Sequence, residues 1–200
     1  TYFYREPDHF RILQEKILPE LMERRQFGGL EIWSAGCSTG EECYTLAMVL
    51  EECRQPDRGA GNVRILATDI SGEVLEKAQK GQYPVKELEA LPPEWQRKYC
   101  RRIDDRNFQV KEELKYHIRF QKRNLLEPLP ASEKFDLILC RNVMIYFDKD
   151  ARQRLVRMLE AALHPGGYLL IGHAELLNSG ETVLESVFPA VYRKELQQDR

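Results

Sequence analysis

The segment Glu31-Ile32-Trp33-Ser34-Ala35-Gly36-Cys37-Ser38-Thr39-Gly40-Glu41-Glu42 constrains the fold more than any other part of the chain. Apolar residues run into a glycine-rich turn, and a helical pattern follows. Ser38 or Thr39 is placed to cap that helix, with Glu41 or Glu42 three residues on. Strand, glycine turn and helix in that order form the nucleotide-binding opening of doubly wound α/β folds. The glycines let the backbone approach a ligand closely, and the acids narrow the ligand. A helix start that receives a pyrophosphate is best kept free of carboxylates, because like charges repel. Here two glutamates occupy the first turn. They suit a nucleoside ligand that carries positive charge and no phosphate. S-adenosylmethionine, with a sulfonium and an ammonium, is such a ligand. The alternative is that Glu41 and Glu42 only complete a capping box and favour the helix dipole.

Two hundred residues, 42% of them hydrophobic, suffice for one domain with its own core. The formal net charge is -2 and no long run of one sign occurs. That argues against nucleic acid as the main partner, since phosphate binding leaves a basic stripe. No apolar run is long enough to span a bilayer, and no signal peptide is evident. Cys37, Cys43, Cys53, Cys100 and Cys140 form no CxxC pair and have no His-rich neighbour. A reduced, cytoplasmic protein without a zinc site is therefore expected. The chain opens on Thr1 and not on methionine, and it reads as a domain excised from a longer one.

Helical spacing of Phe10, Leu13, Ile17 and Leu21 covers residues 8 to 25. A strand at 31–34 and a helix from about Glu41 to Arg54 follow, and Gln55-Pro56-Asp57-Arg58-Gly59 breaks the helix. Arg64 to Thr68 is a second strand closed by Asp69, and Ser71 caps a helix that runs to Gln79 and ends at Gly81. Short helices are expected around Pro92-Pro93. Residues 101 to 111 read as an exposed hairpin turning at Asp104-Asp105-Arg106-Asn107, within an insert of about 100–117. Strands resume at Ile118–Lys122 and Phe135–Cys140. A helix over Lys149–Leu163 is stopped by His164-Pro165-Gly166-Gly167. Strands at Tyr168–Gly172 and Phe188–Lys194 close the chain. The alternation predicts a mostly parallel sheet covered on both faces.

Ligands of open sheets bind beyond the carboxyl ends of the strands, which singles out the residues that follow each strand. Asp69 can accept hydrogen bonds from both ribose hydroxyls of an adenosine, or it can cap a helix, although Ser71 fills that role better. Asn124 can offer a donor and an acceptor to a base edge, with Leu125 packed beside it, or it can be a turn residue. After the strand ending at Cys140, Arg141 can hold an acidic substrate, Asn142 can contact the cofactor and Tyr146 can orient an oxygen nucleophile. Met144, Ile145 and Phe147 read as core. Arg5, flanked by Tyr2, Phe3 and Tyr4, can pair bidentately with a carboxylate, including that of a methionine moiety. His173-Ala174-Glu175 lies at the same end by topology. His9, His117 and His164 show no ligand spacing and read as structural or exposed.

Taken together, these segments resemble the CheR-type chemotaxis receptor methyltransferases over nearly the whole chain. The resemblance rests on Thr1 to Pro7, Trp33 to Glu42, Ala67 to Ile70, Asn124 to Leu126, Cys140 to Phe147 and Gly172-His173. It implies a class I methyltransferase fold, Rossmann-like with a small antiparallel β-subdomain. It also implies methyl transfer from S-adenosyl-L-methionine to glutamate side chains on the cytoplasmic helical region of methyl-accepting chemoreceptors, with S-adenosyl-L-homocysteine as product. By position, Thr1, Arg5, Glu41, Asp69, Asn124, Leu125, Arg141 and Asn142 would contact the cofactor, and Tyr146 would stand near the transferred methyl. Residues 1–200 would be the catalytic domain, a monomer that neither binds nucleic acid nor enters the membrane.

Three departures from the family pattern qualify this. The family's usual N-terminal helical domain would precede Thr1 and is not among these residues. The short turn at Asp104-Asp105-Arg106-Asn107 replaces a glycine-containing extension, so no strong binding of a receptor's C-terminal peptide tether is expected. Ala174 stands where many members have serine.

A glutamate carboxylate is already nucleophilic at neutral pH, so the lack of an obvious base suits this chemistry. The rival readings are a class I methyltransferase for another substrate, a cofactor-binding sensor without turnover, and, more distantly, a nicotinamide dehydrogenase.

Overall fold

The computed structural model describes residues 1–25, 29–54, 62–178 and 180–196. The chain begins with α1 (Pro7–Ile12), one π turn (Leu13–Ile17) and α2 (Leu18–Arg24). Then β1 (Leu30–Ala35) enters the glycine turn and α3 (Glu41–Cys53) leaves it, and β2 (Val63–Asp69) and α4 (Gly72–Lys80) repeat the unit. An excursion follows through β3 (Gln82–Pro84), a 3-10 turn (Val85–Ala90), α5 (Pro93–Tyr99), β4 (Cys100–Arg102), β5 (Asn107–Val110) and α6 (Glu112–Lys115). The chain closes with β6 (Ile118–Lys122), β7 (Phe135–Cys140), a 3-10 turn (Met144–Tyr146), α7 (Lys149–Ala162), β8 (Leu163–Ile171), β9 (Glu185–Phe188) and β10 (Val191–Arg193).

Seven strands form the main sheet in the order β6-β2-β1-β7-β8-β10-β9. Pairings from β6 through β8 are parallel, and β10 is antiparallel to both β8 and β9. The chain builds outward from β1 in one direction and from β7 in the other, so the order reverses between these two neighbours. A crevice forms at such a reversal, beyond the carboxyl ends of the strands. β7 is buried along its whole length, as a strand covered on both faces must be. Its Leu137 and Leu139 pack into the core under α3, whereas Ile138 and Cys140 join Trp33, Leu155 and Leu159 on the α7 side, the two-residue period of a strand.

A second, three-stranded antiparallel sheet has the order β3-β5-β4. Its Tyr83 and Phe108 meet Phe3 of the N-terminal segment, with ring centroids 4.9 and 5.7 Å apart, and all three are buried. The small sheet thus anchors the first residues of the chain.

The local signals of α4 are realised: Ser71 Oγ accepts from the Val74 N–H, and Gly81 ends the helix at φ +63°. Four other expectations are corrected. Neither Ser38 nor Thr39 caps α3; Gly40 does, at φ +93°, with no side-chain cap. A Cβ at Gly40 would lie 2.8 Å from Ala78 Cβ, so the turn packs directly on α4. The helix over residues 8 to 25 contains the π turn. β8 begins at Leu163, because the Gly166 N–H is taken up by Lys194 O and a register shift against β7 absorbs the extra residues. The strand expected over Phe188–Lys194 is a tight hairpin turning at Ala190, φ +57°. The breaker at Gln55–Gly59 lies outside the described residues. All five cysteines are free thiols. Among the described residues no helix is long and apolar enough to cross a membrane.

Two buried polar groups have consequences for stability. The Trp33 Nε1–H donates to Thr68 Oγ1 across β1 and β2 at 2.9 Å, with both residues fully buried. We expect Thr68→Val to leave the indole N–H without an acceptor and to lower stability by about 1–3 kcal/mol. Urea unfolding followed by tryptophan fluorescence checks this, and in a Trp33→Phe background the loss should shrink.

His9 of α1 is 1% exposed; its Nδ1 lies 3.3 Å from Glu6 Oε2, but neither ring nitrogen makes a well-aligned hydrogen bond, and the opposing pull of Glu6 is outweighed. Burial, reinforced by the Arg141 and His173 charges, lowers its pKa to about 4. An unfolded histidine titrates near ~6.5, so between these values the unfolded chain binds the extra proton. The stability from neutral His9 is therefore complete above about pH 6.5 and is lost as pH falls toward 4. Denaturation midpoints from pH 7 to 4.5 should fall, and His9→Gln should flatten that dependence.

Candidate functional site

A cavity of about 610 Å³ opens where the strand order reverses, at the carboxyl ends of β2, β1 and β7 and beside the loop after β6. That volume suits a nucleoside-sized ligand. The floor is the glycine turn. Gly36, at φ +82°, has no room for a side chain, since a Cβ there would sit 2.6 Å from Val143 Cγ2. The Gly36 and Cys37 N–H groups donate to Thr68 O at 2.8 and 2.9 Å, which ties the turn to β2.

Asp69 ends β2 and lines the cavity. Its Oδ2 accepts from the Ser38 N–H at 2.9 Å and its Oδ1 from the Ser71 N–H at 3.0 Å. Each oxygen still has a lone pair for a further donor. Asn124 and Leu125 follow β6 and form an adjoining wall. The Asn124 Oδ1 accepts from the Leu126 N–H at 3.0 Å, the turn role weighed from sequence, and this leaves its NH₂ group as the available donor.

Arg141 follows β7, and its side chain is almost wholly buried. One terminal nitrogen donates to Glu42 Oε2 at 3.1 Å; the other donates to Glu6 Oε2 at 3.0 Å and to the Arg5 carbonyl. The guanidinium lies over the Phe10 ring, 5.2 Å from its centroid. Burial alone would raise the Glu6 pKa, but hydrogen bonding and charge from Arg141, with the His173 N–H, outweigh it and hold Glu6 below the ordinary carboxylate value. Arg141 is therefore a hub joining the N-terminal segment, α3 and the β7 loop. Arg5 is different. It lines the cavity beside Thr1, stacks over the Tyr2 ring at 5.6 Å, and among the described residues has no acidic partner. Asn142, at φ +57°, lies in the wall next to Arg141. Tyr146 stands at the rim and is 82% exposed.

The structure thus brings Thr1, Arg5, Asp69, Asn124, Leu125, Arg141, Asn142 and Tyr146 around one cavity. Glu41 is the exception. It is buried, its carboxylate is turned to the Thr39 hydroxyl, and it does not line the cavity. Glu42 does, with Oε1 accepting from the Ser34 hydroxyl at 2.8 Å. Glu6 was not singled out from sequence, because its partner lies 135 positions away. Glu6, His9 and His173 each bring a ligand-type atom within 4.8 Å of the others, but Glu6 is committed to Arg141.

The donor set fits S-adenosylmethionine: a strand-end acid for a ribose, an unpaired guanidinium for a carboxylate, acids for a cationic centre, and no phosphate cradle. A family model described as CheR methyltransferase, SAM binding domain, matches residues 1–192. The chain is 48% identical over 198 residues to the chemotaxis protein methyltransferase of Borreliella burgdorferi, covering 97% of this chain and 70% of that protein. It is 36% identical over 199 residues to the probable chemotaxis protein methyltransferase of Rhizobium etli, covering 96% of this chain and 74% of that one. It is 35% identical over 182 residues to chemotaxis protein methyltransferase 1 of Pseudomonas aeruginosa, covering 90% and 66%. The chain therefore spans only part of each relative. It belongs to the CheR methyltransferase family, as that family's S-adenosylmethionine-binding domain.

Proposed function

We propose that this domain transfers the methyl group of S-adenosylmethionine to glutamate side chains on the cytoplasmic helical region of chemoreceptors. The observation that carries this reading is the state of the acids in the cavity wall. Asp69 is held by two backbone N–H groups, and Glu42 by Ser34 and Arg141. Neither is placed as a free base. A nucleophile that must first lose a proton is poorly served here, whereas a carboxylate needs no such help. The chemotaxis role of the relatives supplies the class of acceptor.

When bound, S-adenosylmethionine supplies an electrophilic methyl carbon on a sulfonium. In this reading Asp69 accepts the ribose hydroxyls, the Asn124 NH₂ group meets the adenine edge beside Leu125, and Arg5 pairs with the methionine carboxylate near Thr1. Asn142 and the Arg141 hub fix the wall against which the cofactor lies. The substrate enters over Tyr146, whose phenol donates to one carboxylate oxygen and leaves the other aimed at the methyl carbon. Most of the acceleration is then alignment and exclusion of water. The Asp104–Asn107 turn is closed on itself, with Asp104 Oδ1 accepting from the Arg106 and Asn107 N–H groups at 2.7 Å each. This supports a domain that acts without a receptor tether.

Calorimetric titration tests the cofactor contacts. The native domain should bind S-adenosylhomocysteine, and Asp69→Ala should weaken binding at least tenfold; unchanged affinity would remove the ribose role. Tyr146→Phe should slow transfer to a receptor fragment about tenfold, the worth of one hydrogen bond, and leave the cofactor Kd unchanged. Equal loss of rate and affinity would reject the rim role of Tyr146.

A further inference from the structure

Beyond β8 the chain turns through Gly172-His173-Ala174-Glu175. Glu175 is 1% exposed, and it does not line the cofactor cavity. Its carboxylate reaches back across the carboxyl edge of the sheet. Oε2 accepts from the Asn142 N–H at 2.6 Å and from the Gly172 N–H at 2.8 Å, and Oε1 accepts from the Ile145 N–H at 3.3 Å. One side chain thus gathers backbone donors from both loops at the ends of β7 and β8.

The loop after β7 depends on this. Asn142 is in the left-handed region at φ +57°, which asparagine tolerates better than other non-glycine residues and which turns its N–H away from the sheet ladder. Backbone N–H groups in such a loop have no strand partner and need another acceptor. Gly172 makes the space: a Cβ there would lie 2.5 Å from Asn142 Nδ2 and 2.9 Å from Glu175 Oε2. From the other side, Arg152 of α7 donates to the Glu175 and Leu176 carbonyls and fixes the backbone that presents the carboxylate.

We propose that Glu175 is the positioning residue of the methyl-transfer site, holding Asn142 in the cofactor wall through Oε2 and the Tyr146 turn at the rim through Oε1. The holding of the loop is independent of the acceptor. Only its effect on transfer rests on the reading above. The two oxygens make separable contributions. In Glu175→Gln the amide oxygen can take the place of Oε2 and keep the Asn142 and Gly172 bonds. The NH₂ group then faces the Ile145 N–H, donor against donor, and the Tyr146 turn is released. Glu175→Ala frees both ends of the loop.

The test uses the whole domain and three readouts: cofactor affinity by calorimetry with S-adenosylhomocysteine, methyl transfer to a receptor fragment, and amide hydrogen exchange over residues 141–147. Glu175→Gln should bind within about threefold of native, transfer at least tenfold more slowly, and exchange the Ile145 to Phe147 amides faster while β7 keeps its protection. Glu175→Ala should in addition weaken cofactor binding at least tenfold. In a Tyr146→Phe background, Glu175→Gln should cost little further rate, because both act through one group. Native rate and exchange in Glu175→Gln would overturn the proposal. So would a uniform rise in exchange across the sheet with rate and affinity lost together, the mark of a merely structural role. If the native domain fails to methylate the fragment, the acceptor is misassigned, and the exchange and affinity split between the Gln and Ala variants still decides the role of Glu175.

Discussion

The architecture of the site depends on one buried guanidinium. Arg141 joins three segments that are far apart in sequence: the N-terminal residues through Glu6 and the Arg5 carbonyl, α3 through Glu42, and the β7 loop through its own backbone. Removing both carboxylates would leave the Arg141 charge buried without a partner, a defect that costs about 3–5 kcal/mol in comparable sites. Lysine would not be equivalent, because the acceptors are shared between two separate terminal nitrogens of the planar fork, and an ammonium has only one nitrogen. Glu42 and Asp69 place two acids in the wall, and Arg5, without an acidic partner among the described residues, places a cation beside Thr1. The cavity thus offers acids to a cationic centre and one guanidinium to a carboxylate.

The same hub explains why the chain carries its small second sheet. The first residues form one side of the cavity, yet they have little structure of their own. Tyr4 and Glu6 both take positive φ, at 55° and 58°, which disfavours non-glycine residues. That conformation is held from three directions: Phe3 inserted against Tyr83 and Phe108, the Tyr4 N–H donated to Thr45 Oγ1 at 3.1 Å, and Glu6 drawn to Arg141. Without the small sheet Phe3 would lose its aromatic pocket, and Arg5 would lose its fixed place at the rim.

Much of this was legible in the sequence wherever the signal was local. Ser71 and Gly81 bracket α4 because a cap hydroxyl and a left-handed glycine act within one turn. Phe135 to Cys140 can only be a strand buried on both faces. The failures have a common cause in contacts between distant residues. Gly40, and neither Ser38 nor Thr39, caps α3 because the turn must pack on Ala78. Glu41 and Glu42 are adjacent and chemically equal, but they leave the helix about 100° apart. Only the positions of Ser34 and Arg141 decide that Glu42 faces the cavity. The bend at Ala190 that splits the last strand carries neither Gly nor Asn to announce it. Asp69, Asn124, Leu125, Arg141 and Asn142, named from topology at the ends of β2, β6 and β7, all reached the cavity, whereas His173 and Glu175 beyond β8 do not line it, because strand-end position brings a residue to the right edge of the sheet and the strand order decides which ends border the crevice.

Asp69 and Glu175 solve one problem at opposite ends of the reaction groove. One is the last residue of a strand and the other follows a strand closely, and each uses its oxygens on backbone N–H groups of nearby loops: Ser38 and Ser71 for Asp69, Asn142, Ile145 and Gly172 for Glu175. Loops at the carboxyl edge of a parallel sheet have no ladder to hold them, yet they carry much of the proposed ligand contact. A short acceptor fixed to a rigid strand supplies the missing partners without adding flexible chain. In the proposed mechanism, which works by alignment with no general base, precision of these loops takes the place of proton transfer. The side chains that never touch a substrate then matter to the rate nearly as much as those that do.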